Sequence, residues 1–206
     1  MIDPSRPLGN STHARAEQAQ LHLRRRGPDG QQCLRLVAES WLLGHVRLAI
    51  IDIEGGAQPT GNEGGTVWVV CNGEIYNYVE WREKLIAESR CYSTRCDAEV
   101  LPQRFEEKGA LLLDDWEGTY AFAIVDTRKQ QLPLARYRFE KPLYRAPIRG
   151  GKGQAFASEL KAILTPENRG RSLDVAAAAQ LLAWAPFPHP ELMSRECAGF
   201  GPARPW

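Results

Sequence analysis

Asn72-Gly73 is the pair in this chain best suited to stabilise a developing negative charge. An Asn side-chain amide and a Gly backbone N–H can point at one spot, which is what an oxyanion hole requires. The same dipeptide is also a common tight turn, and alone it does not decide between the two. Ahead of it, Val67, Trp68, Val69 and Val70 form a nearly uninterrupted β-branched and aromatic run, the pattern of a strand covered on both faces. Beyond it, Tyr78, Trp81 and Leu85 fall on one helical face, and Asn77 with Glu80 approximates a capping box. The spacing predicts a strand that stops at Asn72-Gly73, a sharp connection, and a helix.

Arg47 and Asp97 each admit a structural and a chemical reading. Arg47 lies between apolar neighbours in Gly44-His45-Val46-Arg47-Leu48-Ala49-Ile50-Ile51-Asp52. It is either the exposed position of an alternating strand or an anchor whose guanidinium grips a carboxylate bidentately. Asp97, in Thr94-Arg95-Cys96-Asp97-Ala98-Glu99, suits the N-terminus of a helix as a cap or as an acid facing the macrodipole. His45 reads as structural. The three cations Arg24-Arg25-Arg26 precede a turn enforced by Gly27-Pro28-Asp29-Gly30 and read as a solvated helix end.

Such residues need a frame, and the composition allows one. At 206 residues, with 43% hydrophobic and 25% charged, the chain can bury a core as one domain. A net charge of +1 argues against a large electrostatic footprint for nucleic acid. The cysteines at 33, 71, 91, 96 and 197 show no CxxC spacing and no nearby histidines, so a zinc site is not expected. No apolar run is long enough to span a bilayer or to start a secretory signal, which points to a cytoplasmic protein with reduced thiols and no membrane partner.

In chain order, residues 1–13 carry prolines and no periodic pattern and read as a flexible lead-in. A helix is expected over 14–23, paired strands over 33–37 and 41–48, and a loop over 55–65. After the strand and helix around Asn72-Gly73, a second helix runs from Asp97 to a stop at Gly109. A strongly apolar strand over 120–125, a polar hairpin loop over 126–131 and a return strand follow. Strand-turn-strand signals continue to residue 157, helices are expected over 158–164 and 173–182, and 186–206 reads as a linker or truncated tail. Residues 14–185 would then be the domain. Strands and helices in blocks indicate a layered α+β fold.

Four ordered motifs share a family. Arg26-Gly27-Pro28-Asp29-Gly30, Gly44-His45-Val46-Arg47-Leu48, Asn72-Gly73-Glu74-Ile75-Tyr76-Asn77 and Asp97-Ala98-Glu99-Val100-Leu101 resemble, in order and spacing, the glutaminase domain of glutamine-hydrolysing asparagine synthetases, which are class II glutamine amidotransferases. Gly118-Thr119-Tyr120-Ala121-Phe122-Ala123, Lys141-Pro142-Leu143-Tyr144 and Ala157-Ser158-Glu159-Leu160-Lys161-Ala162 extend the similarity. The resemblance implies an N-terminal-nucleophile fold, a four-layer αββα sandwich with two antiparallel sheets. It also implies a glutamine pocket. By carry-over, Arg47 holds the α-carboxylate, Asp97 and Glu74 hold the α-ammonium, and Asn72 with Gly73 forms the oxyanion hole. No cofactor is implied for this part.

The sequence departs from the family pattern in three places. The family nucleophile is a cysteine directly after the initiator methionine, whereas Met1 is followed here by Ile2 and the first cysteine is Cys33. Tyr137 stands where the family has an aspartate, and Glu140 lies near the place of a glycine. The ATP-dependent synthetase domain that uses the ammonia has no counterpart in these residues. The expectation is a glutamine-binding domain without hydrolysis of its own, with glutamine as ligand and a separate synthetase domain or a second copy as partner. A non-catalytic scaffold and a truncated product are the alternatives.

Overall fold

The computed structural model describes residues 10–36, 41–137, 141–148 and 153–164, together with 175, 179 and 198–199. Helix α1 (Asn10–Leu23) leads into a hairpin of β1 (Gly30–Leu36) and β2 (Trp41–Arg47). Then come β3 (Thr60–Gly61), the long strand β4 (Val67–Ile75) and helix α2 (Tyr78–Ala87). A 3₁₀ turn at Asp97–Glu99 continues into α3 (Val100–Lys108), and a second covers Gly109–Asp115. The rest is β5 (Gly118–Asp126), β6 (Leu134–Arg136), β7 (Tyr144–Pro147), β8 (Gln154–Ala157), α4 (Leu160–Ile163) and β9 (Ala198–Gly199).

All pairing between these strands is antiparallel. β3-β4-β5-β6 form one sheet, β1 pairs with β2, and β7 lies between β8 and β9. The β4–β5 ladder is the spine, running in unbroken register from Val67 opposite Asp126 to Ile75 opposite Gly118. Its alternation builds two cores. Val67, Val69, Cys71 and Ile75 face one side with Tyr120, Phe122 and Ile124, where they meet Leu85 of α2 and Val100, Leu101 and Phe105 of α3. Val70, Ala123 and Val125 face the other side and meet Trp41 and Leu43 of β2. Both faces are covered, which is why the run reads as continuously apolar rather than alternating.

Helix α1 closes the outside of the hairpin through one polar clasp. Gln20, only 3% exposed, donates from Nε2 to the carbonyls of Gln32 (2.5 Å) and His45 (3.3 Å) and accepts from Gln31 Nε2 at 3.1 Å. Gly44 permits that approach, since a Cβ there would lie 2.8 Å from Gln20 Nε2. The layers therefore run α2/α3, large sheet, β1–β2 hairpin, α1. No described helix is long and apolar enough to cross a membrane.

The structure corrects four expectations. The strand does not stop at Asn72-Gly73: both are in the β4–β5 ladder, Asn72 opposite Ala121 and Gly73 opposite Tyr120. Gly73 serves close backbone approach rather than a turn, because a Cβ there would lie 2.0 Å from the Thr119 carbonyl oxygen and its φ is +140°. Asn77 forms no capping box: its side chain makes no bond to the helix start. It instead donates to the Asp115 carbonyl at 2.9 Å and accepts the Glu117 N–H at 3.1 Å, tying α2 to the segment before β5.

The other two concern the ends. Helix α1 begins at Asn10, so the last four residues assigned to the lead-in are helical. Ala198 and Gly199, placed in a tail without structure, pair with Arg145 and Tyr144 of β7. The helix expected over 173–182 and the altered segment around Glu140 lie largely outside the described residues.

Candidate functional site

Arg47 ends β2, and its surroundings hold both its main chain and its side chain. The turn before β1 braces the main chain: Asp29 N–H donates to the Arg47 carbonyl at 2.9 Å, and Asp29 Oδ2 accepts the Ala49 N–H at 2.8 Å. Gly27 is required there, since a Cβ would come within 2.5 Å of the Val46 and Arg47 backbone. The guanidinium donates to the carbonyls of Ile53 (2.8 Å), Ile51 (3.0 Å) and Asp52 (2.5 Å). One cation thus curls residues 50–56 around itself, a task suited to the planar fork of Arg.

Strand β4 presents the next group through an edge that side chains finish. In an antiparallel strand, alternate residues turn their N–H and C=O to opposite neighbours. Cys71 N–H donates to Gln58 Oε1 at 2.6 Å, and the Cys71 carbonyl lies 3.3 Å from His45 Nε2. Four residues on, Ile75 N–H follows the same edge and donates to Asp97 Oδ2 at 2.9 Å. Gly73 lies between these two on that edge. Beside it, the Asn72 Nδ2 amide is buried and has no hydrogen-bond partner.

Asp97 comes from the 3₁₀ turn before α3 and is 6% exposed. Its Oδ1 accepts the Cys96 thiol at 3.4 Å, while Oδ2 takes the Ile75 N–H. The turn is shaped by Glu99, a buried carboxylate that accepts the N–H and hydroxyl of both Ser93 and Thr94 at 2.5–2.9 Å. Four donors on one buried carboxylate satisfy the rule that buried charge must be fully hydrogen-bonded.

Arg47, Asn72, Gly73, Glu74 and Asp97 all line one cavity of about 510 Å³. The five arrive from three separate elements, β2, β4 and the turn before α3. α1 contributes Ala16 and Gln20 to the far wall. Arg26 also lines the cavity and lies 3.6 Å from Glu159, while Arg24, Arg25 and Arg26 all stay exposed to solvent, in keeping with the reading of a solvated helix end.

Two further residues of the cavity carry chemistry that sequence reading did not assign. Cys71 and Cys96 both line it. Burial is the main cause that pushes the Cys71 thiol well up, with the charge of Asp97 adding to it, and burial raises Cys96 to about 11. Neither is a thiolate at neutral pH, so neither is an activated nucleophile. His45 is held down to about 4, chiefly by burial, and stays neutral as it contacts the Cys71 carbonyl. Its structural reading agrees with that placement. Among the described residues no cluster of His, Cys, Asp or Glu is arranged to hold a metal ion.

The arrangement offers a cation, carboxylates and an unpartnered amide donor within one cavity, a set complementary to an amino acid bearing a side-chain carbonyl. The family described as "Glutamine amidotransferase domain" matches residues 6–205. Residues of this chain are 46% identical over 122 residues to a protein named putative asparagine synthetase [glutamine-hydrolyzing] 1 of Methanocaldococcus jannaschii, covering 59% of this chain and 21% of that protein. They are 43% identical over 146 residues to asparagine synthetase [glutamine-hydrolyzing] 2 of Arabidopsis thaliana, covering 68% of this chain and 24% of that protein. The match to asparagine synthetase [glutamine-hydrolyzing] 1 of Bacillus subtilis is 35% over 169 residues, 82% of this chain and 26% of that one. The chain thus spans about a quarter of the length of these relatives.

Among solved structures, the glutamine phosphoribosylpyrophosphate amidotransferase of B. subtilis, complexed with ADP and GMP, superposes with a TM-score of 0.58 at 20% identity. The superposition covers 75% of this chain and 41% of that one, and it shows a common fold, the N-terminal-nucleophile α+β sandwich. By the match across residues 6–205, the chain belongs to the glutamine amidotransferase domain family, and its relatives there are glutamine-hydrolysing asparagine synthetases.

Proposed function

We propose that residues 1–206 bind glutamine in the cavity between β2, β4 and the turn before α3, as the ammonia-supplying side of asparagine synthesis. The convergence of Arg47, Asn72, Gly73, Glu74 and Asp97 on one cavity carries this reading. In it, Arg47 meets the α-carboxylate, Asp97 and Glu74 meet the α-ammonium, and Asn72 Nδ2 with the Gly73 N–H meets the side-chain carbonyl. A zwitterion needs one cation and one anion a few ångströms apart, and a charge-assisted hydrogen bond contributes roughly 1.5–3 kcal/mol.

Hydrolysis by these residues alone is not part of the reading. The two thiols in the cavity are held protonated, and a hydrolase without its nucleophile loses about 10⁶ in turnover. The ATP-dependent half of asparagine synthesis belongs to a synthetase domain that docks with this one. A cytoplasmic setting goes with reduced thiols at Cys71, Cys91 and Cys96.

Titration calorimetry with L-glutamine tests the binding claim: saturable heat is expected, and none at millimolar ligand with an intact fold would overturn it. An ammonia-release assay tests the second claim. Turnover of glutamine by the purified chain at an ordinary enzymatic rate would refute it.

A further inference from the structure

Asp52 stands between the two charged arms of the site and bonds to both. Its main-chain oxygen accepts Arg47 Nη2 at 2.5 Å and the Gly56 N–H at 2.9 Å. Its carboxylate turns the other way: Oδ2 accepts the Arg95 N–H at 2.7 Å, and Oδ1 accepts the Gly55 N–H at 3.1 Å. Arg95 is in the short segment that leads into Asp97. The residue adopts φ +50°, a conformation that Asp tolerates better than most side chains.

The glycines beside it are fitted to the same contacts. A Cβ on Gly55 would lie 2.6 Å from Asp52 Oδ2, and one on Gly56 would lie 2.5 Å from Arg47 Nη2 and 3.2 Å from Cys96 Cβ. Gly55-Gly56 therefore lets the loop close over the carboxylate, the guanidinium and the segment before Asp97 at once. An Asn would keep one of the two acceptor oxygens, and a Glu would place both a methylene too far.

We propose that Asp52 is a positioning residue that fixes the separation between the Arg47 cation and the Asp97 carboxylate. Its consequence is selection for ligands carrying both α-charges. It rests on the reading that this cavity takes glutamine, and it adds the group that sets the spacing. The Arg47 guanidinium ties the loop to β2, and the Asp52 carboxylate ties that loop to the segment entering Asp97.

Calorimetry on the full chain, on Asp52→Ala and on Asp52→Asn tests this with three ligands. These are L-glutamine, glutaramate, which lacks the α-ammonium, and 4-aminobutanamide, which lacks the α-carboxylate. The unsubstituted chain is expected to prefer glutamine over each analogue by about tenfold or more, the worth of one charged hydrogen bond. Asp52→Ala is expected to lose about tenfold for glutamine and less than about twofold for the analogues, collapsing the preference, with Asp52→Asn intermediate. Equal losses for all three ligands, or an unchanged preference, would overturn the proposal, because a purely structural role predicts one of those. Should Asp52→Ala not fold, Asp52→Asn and Gly55→Ala, which displaces the same carboxylate, carry the comparison. Failure of the unsubstituted chain to bind glutamine is a separate result, which refutes the glutamine reading and this one with it.

Discussion

The carboxylate of Asp97 accepts the backbone N–H of Ile75 at 2.9 Å, so the acid in the 3₁₀ turn before α3 is bolted to the strand that carries Asn72, Gly73 and Glu74. That bond uses one oxygen and needs no charge. Replacing Asp97 by Asn leaves an acceptor for Ile75 while removing the anion offered to an ammonium group. The expected outcome is stability within about 1 kcal/mol of the parent and a glutamine affinity lower by about 10–100-fold. Urea unfolding and calorimetry on the same sample decide it; a variant that loses stability but keeps affinity would show that Asp97 is only a brace.

Asn72 invites the opposite experiment. Its Nδ2 is buried without a partner, a situation that costs about 1–3 kcal/mol. Asn72→Ala is therefore expected to leave the ligand-free protein as stable as before or more so, while glutamine affinity falls about threefold to tenfold. A clear drop in stability would mean that the amide is satisfied in solution.

Gly73→Ala tests the ladder rather than the ligand. The added methyl would sit 2.0 Å from the Thr119 oxygen at a backbone with φ +140°. Destabilisation of at least about 2 kcal/mol is expected, because β5 must move away or the strand must change conformation. Gly118 opposes Ile75 in the same ladder, and a Cβ there would meet the Glu74 oxygen at 2.2 Å, so Gly118→Ala is expected to behave alike. Thermal or urea unfolding with near-parental stability in both would contradict the close approach seen here.

The pH dependence has a marked contributor in His45. Its pKa falls from an ordinary 6.5 to about 4 in the folded state, mainly through burial. The unfolded chain therefore binds this proton first as pH drops. The stability that a neutral His45 preserves is full above pH 6.5 and is lost as pH falls toward 4, about 3 kcal/mol in all. His45→Gln, which keeps a donor for the Cys71 carbonyl, is expected to flatten the stability curve over that window. Parallel curves for parent and variant would show that His45 protonates without strain.

What the sequence by itself determined was the order of chemistry along the chain. Arg47, Asn72-Gly73-Glu74 and Asp97 stand at spacings that identify the family, and the runs around Val67–Ile75 and Gly118–Asp126 are apolar enough to declare covered strands. Local pattern reports burial well, since a strand hidden on both faces must be apolar at every position. It misreads Asn72-Gly73, because a glycine demanded by a neighbouring backbone and a glycine demanded by a turn are the same letter. It likewise cannot say whether Asn77 bonds to its own helix or, as found, to Asp115 and Glu117 far along the chain.

Tertiary structure alone decided what each charged group has for company. Arg47 reads in sequence as an anchor or an exposed strand residue; only packing reveals three loop carbonyls around its guanidinium. Asp52 carries no signal, because its partners Arg47, Gly55 and Arg95 come together only when β2 and the segment before α3 meet. Hydrogen bonds act within about 3 Å, whereas the residues that share them here are up to 43 positions apart in the chain. A function written in such bonds becomes legible only once the chain has folded.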